Sequence, residues 1–244
     1  MILENKVAII TGAKQGIGEG IAKKLAAEGC SLLLADIDEE GCKKVADEVS
    51  VGGIKAIAVK CDISKKEDTE MLAAKAKEVF GKVDILVNNA GIYPFKQFAE
   101  MTEDDWDKVL NINLRGDFLV IKSVLNLISE GGSIINISSI ASIIGFAGLS
   151  HYCASKSGIN GLTRALSLEL AAKNIRVNAI APGAIETPGA AADEKIMQQT
   201  IAAIPMKRMG TPDDIAGAVV YLGSGLSNYV TGQVIIVDGG WTVQ

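Results

Sequence analysis

The sequence predicts an α/β fold: a doubly wound, predominantly parallel seven-stranded sheet flanked by helices. Three observations carry this. Short runs of Val, Ile, Leu and Ala alternate with longer amphipathic stretches along the whole chain. Each short run is nearly continuous in apolar residues, which is how a strand covered on both faces reads. One strand per helix in regular succession gives parallel neighbours joined by right-handed crossovers.

Taken in order, the first strand, Val7–Ile10, runs into a glycine-rich turn and a helix at Ile17–Glu28. Strands at Leu32–Ala35 and Ala56–Val59 bracket a helix at Glu39–Val49, with Asp38 placed to cap it. A helix at Lys65–Phe80 leads to the strand Ile85–Val87. Thr102 before Glu103-Asp104-Asp105 marks a capped, solvated helix start, and Asn113 falls in a helical stretch. Then come strand Ser133–Ile137, helix Ile159–Ala172, strand Arg176–Ile180, helix Pro212–Leu222 and strand Val234–Val237. The widest gap in this pattern is Gly183–Met209, where Pro188-Gly189-Ala190-Ala191-Ala192 points to a mobile loop followed by a short helix. No linker or repeat divides the chain. One domain is therefore expected over residues 1–244, with a substrate loop around 187–208 near the carboxyl edge of the sheet.

Composition excludes other classes. The chain has 244 residues, 48% apolar and 22% charged, which is incompatible with intrinsic disorder. A net charge of −5 without a long Lys/Arg run argues against nucleic-acid and anionic-membrane partners. Cys30, Cys42, Cys61 and Cys153 form no CxxC pair, and His151 is the single histidine, so no zinc or His-rich metal site is expected. No secretory pattern opens the sequence and no apolar stretch is long enough to span a bilayer. The expected compartment is the cytoplasm.

After the first strand, Gly12, Gly16 and Gly18 lie in Thr11-Gly12-Ala13-Lys14-Gln15-Gly16-Ile17-Gly18. Glycines here permit a tight turn, close approach of backbone to a pyrophosphate, and close packing of helix on strand. The helix start adds free N–H donors and the positive end of its dipole. No GxxxxGK[ST] is present, which argues against a nucleotide-hydrolysing P-loop. Asp36, ending the second strand, is placed to accept hydrogen bonds from ribose hydroxyls and to repel a 2′-phosphate. It points to NAD over NADP, although the Lys14 ammonium is within range of a 2′-phosphate.

With these residues in place the sequence resembles the short-chain dehydrogenase/reductase family, in its single-domain, Rossmann-like, NAD-preferring form. The resemblance covers essentially the whole chain. Beyond the glycine turn it is carried by Cys61-Asp62-Ile63, Asn88-Asn89-Ala90-Gly91, Asn111-Ile112-Asn113-Leu114 and Ile137-Ser138-Ser139. Tyr152-Cys153-Ala154-Ser155-Lys156, Pro182-Gly183-Ala184-Ile185-Glu186-Thr187 and Asp238-Gly239-Gly240 complete it. The resemblance implies that Asp62 and Ile63 hold the adenine and that the turn with Asn89 and Gly91 lies beside the adenosine ribose. It implies that Pro182, Ile185 and Thr187 hold the nicotinamide. NADP-preferring relatives carry a basic residue directly before the middle glycine; Gln15 stands there in this chain. The resemblance also implies a cofactor contact from Ile17 and a homotetramer, with interfaces from the helices ending near Leu127 and Ala172 and from the segment Gly232–Val243.

The same resemblance assigns Asn113, Ser139, Tyr152 and Lys156 to catalysis, with Tyr152 and Lys156 also touching the cofactor and Ser138 structural. The chemistry suits those residue types. Tyr152 and Lys156 are four apart, on one helix face. Hydride transfer to a carbonyl requires a proton, and a nearby ammonium lowers a phenol's pKa from about 10. Ser139 can bond the substrate oxygen, and Asn113 is implied to hold a water linking Lys156 to solvent. His151 is expected at the pocket wall or the surface, and Cys153 as a packed small side chain.

The substrate walls are expected from Tyr93, Pro94 and Phe95, from Ile140 to Phe146, and from the Thr187–Met206 loop with Ile196 and Met197. These are mostly apolar, with Lys96 and Lys195 nearby. The expected activity is NAD(H)-dependent interconversion of a secondary alcohol and a ketone. The alternatives are a 3-oxoacyl-thioester reductase on the same scaffold, taking an acyl-carrier-protein or CoA thioester, and a non-catalytic NAD-binding regulator.

Overall fold

The computed structural model describes residues 1–50, 53–188 and 194–243. Seven parallel strands form one sheet: β1 (Val7–Thr11), β2 (Ser31–Asp36), β3 (Ala56–Lys60), β4 (Val83–Asn88), β5 (Ile128–Ile137), β6 (Arg176–Pro182) and β7 (Val234–Val237), in spatial order β3-β2-β1-β4-β5-β6-β7. The order reverses between β1 and β4, and ligands bind in the crevice that such a switch opens at the strand ends.

Alternate residues feed two cores. Ala8, Ile10, Leu32, Leu34, Ile85, Val87, Ile135 and Ile180 pack on one face with α1 (Gly16–Ala27), α2 (Glu39–Val49) and α8 (Pro212–Gly223). Ile9, Leu33, Leu86, Ile134 and Val177 pack on the other with α3 (Lys66–Phe80), α5 (Gly116–Val124) and α6 (Ser150–Leu170). Both faces are covered, so the strands need no polar alternation. α4 (Glu103–Leu110) joins α5 through a π-helical turn, Asn111–Arg115, and α7 (Glu194–Ala203) follows β6. A capping box ties Thr102 and Asp105 at the start of α4, and the Asp38 side chain accepts from Gly41 N at α2.

The expected strands are all present, several one to five residues longer. The clearest departure is α6, which begins at Ser150 rather than Ile159. Its first turns bury His151, Ser155, Lys156, Asn160 and Thr163, so the apolar stripe that betrays a helix is replaced by polar residues. One of these polar residues locks α6 to the sheet: Asn136 Nδ2 of β5 donates to Thr163 Oγ1 at 2.9 Å, while Asn136 Oδ1 accepts from Asn88 Nδ2 of β4 at 2.8 Å. Among the described residues no helix is long and apolar enough to cross a membrane. Of the expected loop, residues 189–193 lie outside the described residues.

Candidate active site

β1 delivers the chain to the glycine turn, and β4 delivers Asn89 beside it. Thr11 Oγ1 accepts from the N–H groups of Asn89 and Ala90 at 3.0 and 3.1 Å, and Asn89 Nδ2 donates to the carbonyls of Thr11 and Gly12 at 3.0 Å each. Gly12 has φ +64°, and a Cβ there would lie 2.8 Å from Ala90 Cα. A Cβ on Gly18 would collide with the Gly12 carbonyl oxygen. Gly16 abuts Thr187. α1 starts at Gly16 after Gln15, which provides no side-chain cap. Its first N–H groups therefore remain for an anionic ligand. A dinucleotide pyrophosphate fits this cradle: backbone donors, no side chain in the way, and a helix start facing it.

A cleft of about 350 Å³ runs on from the turn, lined among others by Gly12, Lys14, Gln15, Asp36, Asp62, Ile63, Asn89 and Gly91. Asp36 ends β2 and is buried. Its Oδ2 accepts from Lys14 N at 3.2 Å and its Oδ1 from Asp38 N at 3.1 Å. Those bonds fix the carboxylate's orientation while leaving lone pairs for hydroxyl donors. The Lys14 ammonium is held by Asp38 at 3.1 Å. Asp62 Oδ1 accepts from both N–H and hydroxyl of Ser64 at 3.1 and 2.7 Å. Burial acts to raise the Asp62 pKa, but these bonds and Lys65 outweigh it, so the group sits below the usual carboxylate range.

Ser139, Tyr152 and Lys156 meet in a second cavity of about 510 Å³, which also takes in Ile17, Asn89, Gly91, Pro182, Ile185 and Thr187. Ser139 follows β5, and its hydroxyl hydrogen-bonds the Tyr152 phenol. Lys156 lies one helical turn beyond Tyr152. Its Nζ stands 5.7 Å from the phenol ring centroid and donates to the Ile137 carbonyl at 2.7 Å. Asn113 does not line the cavity. Buried in the π turn, it accepts from Ile92 N and donates to Ile92 O, both at 2.8 Å, and donates to Ser155 Oγ at 3.2 Å. Its side chain thus clamps the turn after β4 against α6. Ser138 donates to the Lys156 carbonyl at 3.2 Å, a bond within the scaffold.

Burial pushes Tyr152 up to about 12, and the Ser139 hydrogen bond only partly opposes it. Burial likewise lowers Lys156, with Asp117 acting the other way. His151 departs from expectation: it is 0% exposed and lies off the cavity. Its Nδ1 accepts from Tyr152 N at 2.8 Å, turning the ring back along the helix start.

The walls are partly those expected, with Tyr93, Ile196 and Met197 in place. Phe95 is not among them; it lies against Gly148. Phe146 is absent too, standing edge-on to Trp241 at 5.9 Å and 88°. Trp241, Leu149, Thr200 and Met209 also line it. Trp241 follows Asp238-Gly239-Gly240, and that aromatic beyond the last strand was the available signal for it.

The comparisons agree with this geometry. The family model described as enoyl-(acyl carrier protein) reductase matches residues 12–242. A curated relative, the 3-oxoacyl-(acyl-carrier-protein) reductase FabG of Thermotoga maritima, is 39% identical over 246 residues, covering 100% of each chain. The 2-dehydro-3-deoxy-D-gluconate 5-dehydrogenase of Dickeya dadantii is 40% identical over 245 residues, covering 98% of this chain and 96% of its own. A crystal structure of a short-chain dehydrogenase/reductase, glucose/ribitol dehydrogenase, from Brucella melitensis superposes with a TM-score of 0.93 at 38% identity, covering 100% and 99% of the two chains.

Proposed function

The chain belongs to the short-chain dehydrogenase/reductase family of oxidoreductases, which implies a nicotinamide cofactor, and from that premise we propose that it interconverts a secondary alcohol and a ketone with NAD(H). The observation that carries this reading is the convergence of Ser139, Tyr152 and Lys156 on one apolar cavity beside the glycine cradle. When bound, the nicotinamide supplies or takes up the hydride. Pro182, Ile185 and Thr187 would hold its ring, with Gly12, Gly16, Gly18, Gln15 and Ile17 along the diphosphate and Asp36, Asp62, Ile63, Asn89 and Gly91 at the adenosine end.

The chain's own part is proton handling. Ser139 and Tyr152 donate hydrogen bonds to the carbonyl oxygen and polarise it. Tyr152, protonated at neutral pH because burial holds it near 12, gives its proton to the oxygen as negative charge develops. The Lys156 ammonium then stabilises the phenolate. Asn113 keeps Ile92 and Ser155 in register; with its side chain so engaged, any relay through this residue uses its backbone. This resting state favours reduction at neutral pH.

NAD(H) is supported by Asp36 and Asp38 at the ribose end, where Lys14, the cation lining that cleft, is already paired. Exposed Phe118, Leu168, Ile236 and Val243 support assembly into a homotetramer through α5, α6 and the segment Gly232–Val243. The segment 187–208 serves as substrate loop, with α7 contributing Ile196, Met197 and Thr200. A second reading, a 3-oxoacyl-thioester reductase, is favoured by the relative from Thermotoga maritima. NADH oxidation with simple ketones and with acetoacetyl thioesters separates the two. Turnover of ketones supports the first reading, and thioesters alone the second. Intact NADH binding without turnover of either sinks both.

A further inference from the structure

Lys156 must stay charged while only 4% exposed, and its ammonium faces a neutral carbonyl, Ile137 O at 2.7 Å. A buried cation with only neutral partners is driven to give up its proton. An acid is buried in the same region. Asp117 lies in the first turn of α5, directly after the π turn, four residues beyond Asn113 and so on the same helix face. That face looks toward Lys156: a Cβ on Gly91 would meet Asn113 Oδ1 at 3.2 Å and Lys156 Nζ at 3.7 Å. Asp117 is 2% exposed, and among the described residues its Oδ1 has no hydrogen-bond partner.

Several other charged groups on the surrounding elements are committed elsewhere. Asp84, at the opposite end of β4, pairs with Lys6 and Lys82. Lys66 and Glu70 of α3 pair with each other at the surface. Arg115 of the π turn donates to Ser64 O, and the His151 ring is turned to Tyr152 N. Lys156 is the charge that acts on Asp117. The Asn113 amide cannot replace it, being used by Ile92 and Ser155.

We propose that Asp117 is a positioning residue for the reaction, the buried counter-charge that keeps the Lys156 ammonium protonated and so sets the alkaline edge of activity. This rests on the Tyr152–Lys156 reading above. Burial raises Asp117 to about 7 and the Lys156 charge opposes the rise, so above neutrality the carboxylate is ionised. Burial drives the Lys156 ammonium toward losing its proton, the ionised Asp117 acts against that, and the two groups titrate as a pair.

The test compares kcat against pH for the wild type and Asp117→Asn, using NADH and the best ketone or acetoacetyl thioester of the panel. The alkaline limb should move to lower pH by about one unit, with NADH affinity unchanged. Superimposable profiles overturn the proposal. A second arm needs neither turnover nor that variant. The Asp117 carboxyl carbon is followed by NMR across pH in the wild type and in Lys156→Met. Its midpoint should rise by about one unit when the ammonium is removed; an unmoved midpoint overturns the proposal. Failure of the underlying reading shows separately, as normal turnover by Tyr152→Phe, and leaves the NMR arm to decide the pairing.

Discussion

In the cleft from Gln15 to Ile63 the walls are largely turns, glycine and acids already oriented by backbone N–H groups. In the cavity from Tyr93 to Trp241 they are side chains drawn from segments scattered along the chain. The first is a template that fits a polar ligand of fixed shape. The second is a surface whose shape follows whichever side chains line it. The cofactor end should therefore respond sharply to small backbone changes, and the substrate end gradually to side-chain changes.

The point where the two meet gives the largest expected effect. Tyr152→Phe should lower turnover by roughly 10²–10⁴-fold while NADH titration shows affinity within severalfold; retained turnover would remove the phenol from its role. Next is Gly18→Ala, where the added methyl collides with the Gly12 carbonyl. It should cost about 1–3 kcal/mol of stability, seen as a lower Tm, and weaken NADH binding; an unchanged Tm would show that the cradle is softer than drawn. Asp36→Ala removes a charged acceptor, and such hydrogen bonds contribute about 1.5–3 kcal/mol. NAD-over-NADP preference, measured as the ratio of kcat/KM values, should fall roughly tenfold or more, and an unchanged ratio would refute the ribose assignment.

Smaller effects sharpen the contrast. Tyr152 is held near 12, above its ordinary value, so it is protonated throughout the neutral range. Alcohol oxidation, which needs the phenolate, should rise steadily from neutral to alkaline pH while ketone reduction does not; initial rates in both directions check this. Trp241→Ala should change KM for bulky ketones severalfold and leave KM for NADH as it was. A shift in both would mean that the two ends are not separable at that wall.

The same contrast explains what was legible beforehand. Gly12, Asp36, Asp62 and Asn89 sit at strand ends in short continuous motifs, and the structure places all four on one cleft. The strands were readable because both faces are buried. The first turns of α6 were readable only from the Tyr152–Lys156 spacing and not from an apolar stripe, because His151, Ser155 and Lys156 are buried polar residues. Trp241 and Leu149 reach the cavity only through tertiary packing, which local pattern does not encode. Phe95 and Phe146 mislead for the same reason: bulk and proximity in sequence do not fix which way a ring turns.

Gly91 borders both hollows, and a Cβ there would crowd Asn113 Oδ1 at 3.2 Å and reach contact with Lys156 Nζ at 3.7 Å. For anyone redesigning this scaffold the turn acts as a shared party wall. Variation belongs at Asp36 for the choice of coenzyme and at Trp241 or Met197 for the choice of ketone, two dials that turn independently only while residue 91 is left alone.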